Sequence, residues 1–458
     1  MSIIELTDYI SYINKENKAK YGEIQTPYAL INKMLDLIPD EVFYNPNLKW
    51  LDPGTGQGYF SILIYIRLFD KLKYIIKNDE ERKLHIVKNM LYMVEINADH
   101  IPYLKLMFSD HANIYNTDYL TTTIFKDEQF DIIIGNPPYN TLGMKKVPTN
   151  NKSLKKNDGS TIWRDFVRKS LQFLKPNGFL VYIIPSIWMK PDRDKIYNLL
   201  LSYDIQKLTC MTNTETNKLF NGEAQTPTCY FILQKRISTN KINIFDKQAN
   251  KYILFSLKPN QPIPLYGASI LHKLQKYISQ VGCITVHKTN LPSKHTTIQI
   301  QPFATNNFKN IESCILKNNI PQLVFDYSNK PVPFYGKNKL VLSHKMYGFP
   351  FHDISGQYGI SNRDAYVICD RPDNELKQLK AFLSTKFALY VFEATRYRMK
   401  YLEKYAFELL PDITKLTNFP TNINDNTITE YFEFSAIEQA YIQKLHKKNY
   451  IFEPIYNE

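Results

Sequence analysis

Four apolar or glycine-linked positions closed by two consecutive prolines constrain this chain more than any other stretch: Phe130 to Tyr139 reads FDIIIGNPPY. The run Ile132-Ile133-Ile134 after Asp131 has the composition of a strand buried on both faces, as in a parallel sheet covered by helices. Such a strand must stop where the prolines begin, because they lack a backbone donor and hold φ fixed. The carbonyls of Asn136 and Pro137 are then set in a stiff turn instead of joining a ladder, and remain open to an outside donor. A second constraint lies upstream, where Trp50 and Leu51 end a short apolar run before DPGTGQG, Asp52 to Gly58, and the apolar helix-like stretch YFSILIYIRLF. That is a strand, a glycine turn and a helix, with Gly54, Gly56 and Gly58 allowing close approach of a ligand to a helix N-terminus. By itself this turn would serve a dinucleotide or a phosphate equally well.

The following strand ends narrow the choice. LYMVEIN places Glu95 at the end of a second apolar run, where a carboxylate can accept from both hydroxyls of a ribose. ANIYNTDYL places Asp118 after a third, where a carboxylate can take the exocyclic amine of an adenine. In front, YGEIQTP (Tyr21 to Pro27) precedes the helical pattern YALINKMLDLI, with Thr26 and Pro27 as start signals.

An amine that donates to the Asn136 side-chain oxygen and to the Pro137 carbonyl loses conjugation, and its lone pair becomes nucleophilic. Tyr139 adds an aromatic face for a planar group presented by base flipping. NPPY resembles the catalytic tetrapeptide of S-adenosylmethionine-dependent amino methyltransferases. Taken with the order of the other motifs, residues 21 to 235 resemble the gamma class of N6-adenine DNA methyltransferases of restriction-modification systems. The resemblance implies that Thr26, Asp52, Gly54, Gly56, Glu95 and Asp118 bind S-adenosyl-L-methionine. It implies that Asn136, Pro137 and Tyr139 hold the adenine, with Phe220 of the loop LFNGEAQTP stacking on its other face. A core phenylalanine is the competing reading of Phe220.

The expected architecture is a doubly wound Rossmann-like α/β catalytic domain over residues 1–240, followed by a mixed α+β target-recognition domain over 241–458. Within the first, IWRDFVRKSLQF should form an amphipathic helix, Pro176-Asn177-Gly178 a turn and FLVYIIP a strand. Thr141 to Thr161, rich in lysine and asparagine, reads as a loop.

Charge agrees with a polyanion partner. The chain of 458 residues carries 57 Lys+Arg against 44 Asp+Glu, a net +13, and residues 241–345 alone hold 14 basic and 3 acidic residues. That stretch is the expected contact surface for double-stranded DNA, with Lys337 and Lys339 inside it and Arg363, Arg396 and Arg398 beyond. No apolar run approaches the roughly 18 residues of a membrane span, and MSIIELTDYI is not a secretory leader. Five scattered cysteines fit a reducing compartment, so a cytoplasmic location is expected, in a bacterium or in a virus-infected host. No Cys-x-x-Cys pair or His/Cys cluster stands at ligand spacing, so no metal is expected, and no cysteine follows a proline, which argues against a cytosine-C5 nucleophile. The 20 residues before Tyr21 cannot hold the nuclease domain of single-chain restriction enzymes, so a methylase with, at most, a separately encoded endonuclease is expected. N4-cytosine, RNA guanine-N2 and protein-glutamine transfer use the same tetrapeptide chemistry and remain alternatives.

Overall fold

The computed structural model describes residues 24–141, 160–224, 226–317, 320–343, 350–363, 365–397 and 402–444. Residues 142–159 of the expected loop and Arg398 lie outside them.

The chain divides into two compact units, Met1–Trp188 with Asp192–Phe245, and Met189–Pro191 with Asp246–Glu458. The first is built on eight strands: β1 (Trp50–Asp52), β2 (Leu91–Glu95), β3 (Asn113–Asn116), β4 (Phe130–Gly135), β5 (Leu174–Pro185), β6 (Tyr203–Met211), β7 (Thr228–Ile237) and β8 (Lys241–Asp246). Their spatial order is β3-β2-β1-β4-β5-β7-β6-β8. β1 pairs in parallel with both β2 and β4, and β2 with β3 and β4 with β5 likewise, while β7 runs antiparallel between β5 and β6.

The chain thus moves outward from β1 through β2 to β3, then returns to lay β4 and β5 on the other side. β1 and β4 flank the point where strand order reverses, and a crevice opens there at the carboxyl ends of parallel strands. The glycine turn follows β1 and the proline turn follows β4, so topology brings both to one crevice. Helices cover the sheet, as the apolar content of the central strands requires: every residue of β1 is buried, and β4 is buried except at Asp131. The helix Tyr59–Leu72 buries Phe60, Ile62, Ile64 and Leu68 into a core shared with Trp50, Ile132 and Ile134.

Two expectations shift. The Pro176-Asn177-Gly178 turn is absorbed into β5, which begins at Leu174 and slips register against β4 between Phe130 and Ile132. Asn177 takes the left-handed conformation (φ 64°), and a Cβ at Gly178 would sit 2.8 Å from the Asp131 carbonyl oxygen, which leaves room for glycine alone. The first compact unit runs to Phe245, past the domain boundary expected between residues 240 and 241, because β8 pairs with β6 through Lys207↔Asn243 and Leu208↔Ile244 and so extends the first sheet.

The second unit mixes strands and helices. One sheet orders His287–Lys288, Ala365–Cys369, Lys339–Ser343 and Phe351–Asp353; another orders Ile298–Gln299, Ile320–Ser328, Phe308–Lys317 and Gly359–Ile360. The helices Ala268–Val281, Asp373–Leu383 and Lys386–Ala394 supply much of its apolar interior. Among the described residues, no helix is long and apolar enough to cross a membrane.

Candidate active site

A cavity of about 280 Å³ occupies the crevice of the first unit. Its wall contains Thr26, Gly54, Gly56, Glu95, Asp118, Asn136, Pro137, Tyr139 and Phe220. Every described site residue expected from the first unit's motifs is therefore in one wall, except Asp52.

The glycine turn is fixed by β2. Thr55 N donates to Val94 O at 3.0 Å, and Gly56 N donates to Glu95 Oε2 at 2.6 Å. Gly56 has φ 56° and Gly58 φ 93°, values that penalise a side chain. They differ in what a Cβ would meet: none of the neighbouring heavy atoms lies within 4 Å at Gly54 or Gly56, whereas at Gly58 the Leu104 side chain is 3.0 Å away. Gly58 serves packing of the following helix. Gly54 and Gly56 present bare backbone to the cavity.

Glu95 is 5% exposed and its other oxygen, Oε1, accepts from Asn97 N at 2.7 Å. Both oxygens are thus oriented by backbone donors. Asp118 Oδ1 accepts from Leu120 N at 2.8 Å, forming its own turn after β3. Lys169, which the motifs do not reveal, holds that turn from the helix Trp163–Phe173 by donating to Leu120 O and Thr122 O, each at 2.9 Å. Burial pulls its ammonium below the usual lysine range. The amphipathic pattern of that helix is visible in sequence, but the loop its lysine reaches is 47 to 49 positions away.

Asp52 stands apart from the other expected site residues. It is fully buried behind the turn and not in the cavity wall. Its Oδ2 accepts from Ser61 Oγ at 2.8 Å and its backbone carbonyl from Thr55 Oγ1 at 3.1 Å, so it ties the turn to the helix behind it. Burial pushes its carboxyl up to about 7.

At the proline turn, Asn136, a residue of the cavity wall, donates from Nδ2 to Thr26 Oγ1 at 3.1 Å, which fixes the amide; its Oδ1 is buried and without a partner. Thr26 is 4% exposed and is not the N-cap of Tyr28–Leu35, a position taken by Pro27. The Tyr139 carbonyl accepts from Ile162 N at 3.1 Å, and its hydroxyl is buried without a partner, a setting that raises its pKa by desolvation. Phe220 follows the helix Asn213–Leu219, is 3% exposed, and belongs both to the apolar core and to the cavity wall.

The residues fit S-adenosylmethionine. Two bare glycines form a cradle that a Cβ would fill, an oriented carboxylate suits a diol, a second one suits an amino group, and an unpaired buried amide oxygen adjoins them.

Residues 60–220 match the Eco57I restriction-modification methylase family. The matched segment is less than half of the chain. It contains Glu95, Asp118, Asn136, Pro137, Tyr139 and Phe220, while Thr26 and the glycine turn precede it. Among curated relatives, an uncharacterized adenine-specific methylase of Mycoplasma pneumoniae is 25% identical over 46% of this chain and 67% of its own length. The modification methylase CviBIII of Paramecium bursaria Chlorella virus NC1A is 29% identical over 45% of this chain and 51% of its own length. The type II methyltransferase M.AccI of Acinetobacter calcoaceticus is 28% identical, and the match spans 33% of it. The chain thus spans between a third and two thirds of these relatives. Among solved structures, the type IIL restriction-modification enzyme MmeI in complex with DNA aligns over 86% of this chain and 69% of its own, with a TM-score of 0.44 and 12% identity.

The cations expected to meet DNA are not equivalent. Lys339 is a correction: it is fully buried and its ammonium donates to Asp353 Oδ2, to Tyr358 O at 2.6 Å and to Lys337 O at 3.2 Å. With three donors satisfied inside the fold, it has none for a phosphate. Arg396 is 18% exposed and its Nη1 donates to both carboxylate oxygens of Glu393 at 2.8 Å, so it too is largely committed. Lys337 is half exposed and paired with Asp370 at 2.8 Å, and Arg363 is exposed.

Proposed function

We propose that the chain is an S-adenosylmethionine-dependent DNA methyltransferase acting on the N6 amine of adenine in double-stranded DNA. The observation that carries this reading is Asn136 Oδ1: a buried acceptor without a partner, oriented by Thr26, in the wall of a cavity that also holds a glycine cradle and two carboxylates. A buried unsatisfied acceptor costs about 1–3 kcal/mol, which a ligand's donor at this place would offset. Bound S-adenosylmethionine supplies an electrophilic methyl group; Gly54 and Gly56 would receive it closely, Glu95 its ribose hydroxyls and Asp118 its adenine amine.

The chain's own residues then act on the target amine. Asn136 Oδ1 and the Pro137 carbonyl accept its two hydrogens, which turns the nitrogen lone pair out of conjugation and toward the electrophile. The prolines hold the Pro137 carbonyl and Thr26 holds the Asn136 amide, so little reorganisation accompanies the charge that develops on nitrogen. Tyr139 and Phe220 contribute aromatic faces to the same cavity, where an extruded base can stack. After transfer the nitrogen sheds one proton. No covalent link between protein and base is needed.

Purified chain incubated with labelled S-adenosylmethionine and duplex DNA should produce N6-methyladenine. Label in N4-methylcytosine, in RNA or in a protein glutamine, with none in adenine, would overturn the assignment of substrate.

A further inference from the structure

Three different ligand types converge in the second unit, far from the methylase segment in sequence. His287 lies on the two-residue strand His287–Lys288, Cys369 ends the neighbouring strand Ala365–Cys369, and Asp370 follows it. The two strands pair through His287↔Val367 and Lys288↔Tyr366, which puts positions 287 and 369 at one end of one sheet. An imidazole nitrogen, a thiol sulfur and a carboxylate oxygen from these residues all lie within 4.8 Å of one another. His287 and Asp370 are exposed, and Cys369 is buried at 7%.

Asp370 has a left-handed backbone (φ 61°), uncommon for a residue with a side chain. Its two oxygens already bind: Oδ2 accepts from Cys369 Sγ at 3.2 Å and Oδ1 from Lys337 Nζ at 2.8 Å. The cluster is thus a thiol proton and an ammonium neutralising one carboxylate, beside an imidazole. We propose that His287, Cys369 and Asp370 form a Zn²⁺ site in which the ion replaces the thiol proton.

The donor set selects the metal. Thiolate, imidazole and carboxylate together suit Zn²⁺, whereas Mg²⁺ and Ca²⁺ prefer oxygen alone. With bonds of roughly 2.0–2.3 Å in tetrahedral geometry, ligand atoms stand roughly 3.5 Å apart, so the set must draw in by about 1 Å. The exposed side chains of His287 and Asp370 can do that, and Lys337, half exposed, can swing off Asp370. On binding, Cys369 loses one proton to solvent and three protein ligands hold the ion, with water as the fourth. The ion pins a strand only two residues long, itself in the basic stretch 241–345, to its neighbour.

The test uses the full, untagged chain stripped of metal and titrated with Zn²⁺ against a chromophoric chelator. One equivalent should bind, raising the thermal midpoint; His287→Ala, at an exposed position, should keep the fold and lower affinity by roughly 100-fold or more, since even outer partners of metal ligands cost 10–100-fold. Co²⁺ in place of Zn²⁺ should show thiolate charge-transfer absorption that Cys369→Ser abolishes and Cys283→Ser leaves intact. Absence of one-equivalent binding, or equal binding by His287→Ala, overturns the site.

Discussion

Asp52 and Asn136 are two polar side chains at adjacent strand ends, one outside the cavity wall and one in it. Asn136 is oriented by one partner, and its other polar atom is buried without one. Asp52 lies outside the cavity wall, its Oδ1 likewise buried without a partner, and burial lifts its carboxyl from 3.8 to about 7. Between those values the folded protein keeps a proton that the unfolded chain has released, so stability falls as pH rises through that window and the full deficit is present above about 7. Asp52→Asn keeps an acceptor for Ser61 and removes the buried charge. It should leave stability near wild type at pH 4 and raise it at pH 8, by at most about 4 kcal/mol at about 1.4 kcal/mol per unit. Urea unfolding at both pH values checks this, and a difference independent of pH would refute it.

At the scale of elements, the glycine turn separates packing from binding. Gly58→Ala meets both a left-handed backbone and Leu104, so it should destabilise the fold by about 1–2 kcal/mol. Gly54→Ala meets neither, so stability should hold, while the methyl intrudes on the cradle and lowers S-adenosylmethionine affinity by about tenfold. Paired denaturation and calorimetry on the two variants would expose an error in either assignment. These strand-turn-helix units were legible because apolar runs, glycines and prolines act locally. Strand ends named Glu95 and Asp118 for the same reason. What local pattern could not show was depth across the sheet: nothing in LDPGTG marks Asp52 as facing Ser61 instead of the cavity. Nor could it show long-range partners, such as Lys169 reaching the Asp118 turn or Thr26 holding Asn136 across 110 positions.

At the scale of the whole molecule, net charge is a guide to partner and a poor guide to contacts. The +13 of the chain and the 14-to-3 excess of residues 241–345 favour a polyanion. Yet Lys339 in that stretch is consumed by Asp353 inside the core, because a lysine alternating along a strand gives no sign of which face it takes. Lys288 and Lys294 are exposed in the same stretch. Reversing both to Glu should weaken binding to all duplexes alike and reduce the slope of log K against log salt by up to about 1.8, at about 0.9 per phosphate contact. An unchanged slope would move the contact surface elsewhere. His287, Cys369 and Asp370 make the same point about range, since no spacing rule joins a histidine to a cysteine 82 positions later.

The central claim is that Asn136 Oδ1 prepares the target amine for attack. Its most direct test is single-turnover methyl transfer by Asn136→Ala, with S-adenosylmethionine affinity measured on the same preparation. Loss of one preorganised acceptor should slow transfer by roughly 10²-fold or more while cofactor affinity stays near wild type. Transfer at the wild-type rate would contradict the account.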